Sequence, residues 1–206
     1  MAKGRRTSRY RRRKRGIRPN PFFIIVCEGE VTEPDYFKSF PYSCKLGYSY
    51  VHGTVHIVSG AGQHEKVVVK ADEVWRKLKK EYGAISSNEV WCVFDCDGNT
   101  DSLNRAIKAA ESKGFNAIYS IQCFELWFLL HFQPLTTAID RKDYDRRLSN
   151  HLGINYEHGM KGMYHLLQNR QEDAIRAAKQ LWEQKAELGE LTGDPITNVF
   201  MLVEAL

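Results

Sequence analysis

The feature that most constrains this chain is an alternation of two hydrophobic periods. Residues 22–27 (FFIIVC) form an apolar run with β-branched and aromatic members, and Gly29 lies close behind. That length and composition predict a strand buried on both faces. Residues 32–40 follow as a short helix, with Thr32 and Asp35 as a capping box and Pro34 in its first turn. Residues 41–53 read as a Tyr-rich loop. A second strand is predicted at 54–59 (TVHIVS), ended by Gly60-Ala61-Gly62. Residues 64–82 then carry Val67, Ala71, Val74, Trp75, Leu78 and Tyr82 on one helical stripe. A third strand is predicted at 89–95 (EVWCVFD), a helix at 101–113 stopped by Gly114, and a fourth strand at 116–121. This order implies an α/β fold: a mainly parallel sheet, right-handed crossovers and flanking helices.

From Phe124 the pattern is helical. Residues 124–132 are apolar nearly all round, which predicts a buried helix, and further helices are expected at 140–151, 160–169, 171–188 and 195–206. The last has Asp194 as its expected N-cap and Pro195 at its first position. The expected organisation is a disordered basic arm over 1–20, an α/β core over 21–132 and a helical C-terminal extension over 133–206, packed on the core.

Charge divides along the same lines. The net charge is +5, but the first 18 residues hold ten of the 30 bases and no acid. The remaining 188 residues hold 20 bases against 25 acids, so the body is acidic. Within the arm, Arg5, Arg6, Arg9, Arg11, Arg12, Arg13, Lys14, Arg15 and Arg18, with Tyr10 among them, suit a phosphate backbone. The rival readings are a ribosome- or membrane-attracted tail, or plain solubility. The arm has no apolar face, which counts against a membrane. The longest apolar run is six residues, far short of a span or a signal-peptide core. Five cysteines without a C-x-x-C spacing predict reduced, buried thiols rather than a disulfide frame or zinc site. The expected location is cytoplasmic.

Ligands of open α/β sheets collect at the carboxyl ends of the strands. Glu28 directly follows the first run, and Asp95 and Asp97 end the third as D-x-D before Gly98. In extended chain, residues two apart project to one face. Clustered carboxylates repel, and a hard divalent cation such as Mg²⁺ or Mn²⁺ neutralises them. Such an ion can clamp a phosphodiester and leave one carboxylate for proton transfer. Against this stands turn chemistry, which alone explains D-x-D-G-N. Residues 95–106 imitate an EF-hand loop, but its sixth position is Thr100 rather than Gly and its twelfth is Ala106 rather than Glu. The D-x-D-G-T start of haloacid-dehalogenase phosphatases is interrupted by Asn99, and two strands precede it.

At these residues the chain resembles the RloB family, bacterial proteins linked to restriction and abortive-infection loci. The resemblance rests on Glu28-Gly29-Glu30 with Thr32-Glu33-Pro34 and Tyr36-Phe37, then Asp95-x-Asp97. It continues through Ser120-Ile121-Gln122-Cys123-Phe124-Glu125-Leu126-Trp127, His131-Phe132 and the closing Asp194-Pro195-Ile196-Thr197-Asn198-Val199. The resemblance implies a Toprim-like domain, the metal-binding module of topoisomerases, primases and several nucleases. By position it makes Glu28 the general acid/base or a metal ligand, and Asp95 and Asp97 the Mg²⁺ ligands. Ile121-Gln122 departs from the family's small residue and Pro, and Ile196 from its Ser.

Other residues carry open readings. Glu33 is either a further metal ligand or a favourable acid at a helix start. Glu125 opens an apolar helix, and a buried carboxylate needs a partner or a metal, so it is a catalytic candidate. His131 lies about 240° around that helix from Glu125 and reads as a core histidine. Gly60-Ala61-Gly62 lacks the phosphate-loop spacing and reads as a tight turn. His64 and Glu65 either contact substrate or simply open a helix. Lys161, between glycines, either presents a base to a phosphate or is solvated.

The function these features favour is a Mg²⁺-dependent (or Mn²⁺-dependent) nuclease or phosphodiesterase in bacterial anti-phage defence, acting on nucleic acid and joined to a defence-system partner protein. The alternatives are a non-catalytic module of Toprim-like fold that binds nucleic acid or a partner, and a small-molecule phosphatase.

Overall fold

The computed structural model describes residues 22–41, 43–46, 49–52, 54–96 and 98–206. The basic arm and Asp97 lie outside the described residues. The strands are β1 (Phe22–Cys27), β2 (Ser43–Leu46), β3 (Ser49–His52), β4 (Thr54–Val58), β5 (Val90–Cys96) and β6 (Asn116–Ile121). The helices are α1 (Thr32–Lys38), α2 (Glu65–Tyr82), α3 (Thr100–Ser112), α4 (Glu125–Leu130), α5 (Arg141–Leu152), α6 (Met163–Leu167), α7 (Gln171–Glu187) and α8 (Val199–Ala205). Four strands form one all-parallel sheet in the order β4-β1-β5-β6, and β2 and β3 form a separate antiparallel pair.

The side-chain alternation of β1 explains its continuous apolar sequence. Phe22, Ile24 and Val26 enter a core shared with Val67, Ala71, Leu103 and Ala106 of α2 and α3. Phe23, Ile25 and Cys27 enter a second core, shared with α1 and with helices α4 to α8. A strand between two cores has no polar face to show, so period-2 alternation vanishes from its sequence. Helix α4 is buried at every position, Glu125 included, as its all-apolar pattern predicts. Among the described residues, no helix is long and apolar enough to cross a membrane.

Several expectations are corrected. Residues 41–53 contain the β2–β3 hairpin rather than only loop. The Thr32–Asp35 capping box does not form. Val31 stands at the N-cap without a side-chain bond, and the Asp35 carboxylate instead accepts from the Gly162 backbone N–H at 2.6 Å. The last helix begins at Val199, not Pro195, and Asp194 is not its cap.

The reason for that late start is the edge of the sheet. Ile121 N–H donates to Ile196 C=O at 2.9 Å, and Asn198 N–H donates to Tyr119 C=O at 3.1 Å. The Asn198 side chain accepts from Tyr119 N–H at 2.6 Å and donates to Ala117 C=O at 2.9 Å. Residues 196–198 thus satisfy the outer edge of β6, whose backbone groups otherwise lack partners. That requirement outweighs the preference of Pro195 for a first helical turn.

Candidate functional site

Strand order fixes where a ligand can enter. The chain leaves β1 for β4 on one side and leaves β5 for β6 on the other. Adjacent strands with opposite exits open a crevice at their carboxyl ends. Glu28 and Asp95 stand at this crevice. Glu28 N–H donates to Val93 C=O at 3.0 Å, which sets it against the end of β5. Asp95 is the penultimate residue of β5 and pairs with Ser120 of β6.

His64 ties the two together. It is 4 % exposed, at the entry to α2, with a φ of 39° in the left-handed region. Its backbone N–H donates to Glu28 Oε2 at 3.3 Å, and its ring Nε2 lies 3.2 Å from Asp95 C=O. A carbonyl only accepts, so Nε2 carries a proton. Nδ1 lies 2.8 Å from Ser102 Oγ of α3, and Ser102 reaches Glu65, which Arg105 pairs at 2.8 Å. Gln122, just past β6, is the other described non-glycine residue with positive φ, at 74°. Both outliers sit on the same sheet edge, and strained backbone concentrates at functional sites.

Glu33 lies behind Glu28. It is 2 % exposed and its Oε1 accepts from Gly29 N–H at 3.2 Å. A Cβ at residue 29 would collide with the Glu33 carboxylate, so only glycine permits this approach. Burial raises the Glu33 pKa, and the nearby charges of Glu125 and Glu28 raise it further, against the lowering pull of its backbone hydrogen bonds. Two thiols record the same field. Cys27 is raised by burial, then by Glu33 and Asp95, and Cys123 by burial, then by Glu125 and Asp95. Glu28, Glu33, Asp95 and Glu125, from four different segments, therefore share one electrostatic neighbourhood.

Glu125 is the most committed of the four. It is 1 % exposed, and its Oε1 accepts from Tyr156 OH at 2.9 Å and from His158 Nδ1 at 2.7 Å. Burial alone would raise its pKa, but the His158 bond and charge, with Tyr156, hold it below the ordinary carboxylate value. Asp145 of α5 is raised, by burial and then by the Glu125 charge. Glu125, Asp145 and His158 line a cavity of about 250 Å³ together with Cys123, Asp140 and Arg141.

The remaining expected site residues stand apart. Asp97 and the cations Arg5, Arg6, Arg9, Arg11, Arg12, Arg13, Lys14, Arg15 and Arg18 lie outside the described residues. Lys161 is exposed, on the loop that docks through Gly162 onto Asp35. His131 is a core histidine. Its Nδ1 bonds Trp127 C=O at 2.9 Å, and burial lowers its pKa to about 4. Gly60 and Ala61 close the edge by donating to Gly29 and Cys27 C=O, which is turn work rather than phosphate binding. Sequence reasoning misses His158 and Tyr156. The one available signal is that a buried Glu125 needs partners, and nothing in the sequence says where they lie.

The donors at the crevice are carboxylate oxygens, the type that suits a hard divalent cation. Among the described residues, however, no group of three or more His, Cys, Asp or Glu is arranged to hold a metal ion. No curated protein and no solved structure matches the chain. The family model for RloB-like proteins matches residues 23–206, nearly the whole length. The chain belongs to the RloB-like family.

Proposed function

We propose that this chain is a Mg²⁺- or Mn²⁺-dependent phosphodiesterase of Toprim type that cleaves nucleic acid, in the service of bacterial defence against phage. The observation that carries the reading is the placement of Glu28 and Asp95 at the crevice between β1 and β5, joined through His64, with Glu33 pushed up by burial and further by the charges of Glu125 and Glu28. Like charges held together raise the energy of the empty site, and a hard cation relieves it. Glu28 and Asp95 would hold the ion, with Asp97 two residues further on and Glu33 bonded to the Gly29 N–H that follows Glu28. A bound divalent cation supplies a Lewis acid for the phosphoryl oxygen and lowers the pKa of water. Glu28, half-buried and oriented by His64, would take the proton of the attacking water. The arm's ten cations would hold a polyanion that the acidic body repels.

Cleavage of labelled DNA and RNA with Mg²⁺ or Mn²⁺ tests this. Glu28→Gln and Asp95→Ala should each lose at least ~100-fold in rate, and variants that cut as well as wild type would overturn the assignment. A second reading, a binding module without turnover, is favoured by one fact: the described residues do not assemble a three-ligand site. It predicts salt-sensitive binding of nucleic acid and no heat on titration with either metal.

A further inference from the structure

We infer that His158 is the proton donor to the leaving group of this reaction, held in place by the buried carboxylate of Glu125. The inference rests on the phosphodiesterase reading and adds to it a residue from the loop between α5 and α6.

The geometry is that of a carboxylate–imidazole pair aimed outward. Glu125 is 1 % exposed while the His158 side chain is 58 % exposed. Burying a carboxylate is costly, and Tyr156 OH already gives it a donor in the interior. Its second partner is nevertheless a ring that reaches solvent. The bond from Nδ1 to Glu125 fixes the ring's orientation and leaves Nε2, on the opposite edge, to meet another group. Both residues line the 250 Å³ cavity, whose wall also carries Arg141 and Lys142 from the first turn of α5, two cations suited to a phosphate.

The ring's surroundings favour its charged form. The Glu125 bond raises the His158 pKa, burial opposes this, the Glu125 and Asp145 charges support it, and Arg141 opposes it. The net shift is upward, as a donor working near neutral pH requires. Gln122 N–H donates to Cys96 C=O at 3.1 Å, so the chain that leads from β6 into Glu125 leaves the sheet beside the end of β5, next to Asp95.

In the cleavage step, the water oxygen bonds to phosphorus while the bond from phosphorus to the leaving oxygen breaks. The water's proton passes to Glu28. The proton on His158 Nε2 passes to the leaving oxygen, which departs as an alcohol, and His158 regains a proton from solvent.

The experiment uses the full chain with Mg²⁺ and two substrates: an oligonucleotide, and thymidine 5′-(p-nitrophenyl phosphate), whose nitrophenolate leaves without protonation. His158→Gln keeps an N–H for Glu125, and retained activity on the nitrophenyl ester checks that the fold and the rest of the site are intact. The expected result is a loss of about 100-fold on the oligonucleotide, a change within about threefold on the nitrophenyl ester, and disappearance of the alkaline limb of the kcat–pH profile. Equal loss on both substrates, or no loss on either, overturns the proton-donor role. If wild type acts and Glu28→Gln does not, while His158→Gln acts normally on both, only the donor falls. If wild type is inert towards both substrates, the phosphodiesterase reading falls and takes the donor with it.

Discussion

At the scale of residues, two histidines do work that their sequence positions conceal. His64 opens a helix, and helix-start polarity explains it until its ring is seen against Asp95 C=O and its N–H against Glu28. His158 sits in a Gly-containing loop, and its meaning comes from a carboxylate 33 positions away. Glu28, Asp95 and Glu125 are legible as candidates because each stands where an apolar run ends or is interrupted. Their partners are not, since long-range pairing leaves no periodicity. The Glu125–His158 pair makes stability depend on pH in a stated direction. The folded His158 pKa lies above its ordinary 6.5, so its contribution is complete below that value and is lost as pH rises through the raised one. Glu125 is held below its ordinary 4.5, so its share is present above that value and lost as pH falls through the lowered one. The unfolding midpoint of wild type should therefore fall more steeply than that of His158→Gln as pH rises above about 6.5. Parallel curves would show that the pair adds nothing to stability.

At the scale of elements, strands β1 and β6 are legible with their observed bounds, β1 because a strand buried on both faces announces itself as an apolar run. The β2–β3 hairpin is not legible, since four-residue strands are too short to display alternation. The start of α8 is misplaced by local signals, an acid followed by Pro, which compete with an unsatisfied sheet edge that the sequence does not show. Asn198 carries that edge, bonding both Tyr119 N–H and Ala117 C=O. Asn198→Ala leaves those buried groups without a side-chain partner and should destabilise the fold by about 1–3 kcal/mol. Urea unfolding measures this directly, and a change within experimental scatter would mean that the backbone bonds of 196–198 suffice alone.

At the scale of the whole molecule, the cationic arm and the acidic body are opposed in sign, and the net +5 conceals both. If the arm holds the polyanion, deleting residues 1–18 should leave the unfolding midpoint unchanged and flatten the salt dependence of nucleic-acid affinity. Every phosphate that the arm no longer neutralises takes about 0.7–0.9 from the log–log slope. A small-molecule phosphatase would keep its full activity after the same deletion. An unchanged slope would place the polyanion's binding surface on the body instead.

The segment that seals β6 also gives the sheet a direction. The edge of β6 is occupied by residues 196–198, whereas no described segment pairs with the outer edge of β4. Strand addition requires an open ladder of N–H and C=O groups. Among the described residues, therefore, β4 is the edge left for a strand that a second copy or a foreign chain lends to this sheet. An assembly built that way would grow away from Ser120 and leave the β1–β5 crevice uncovered.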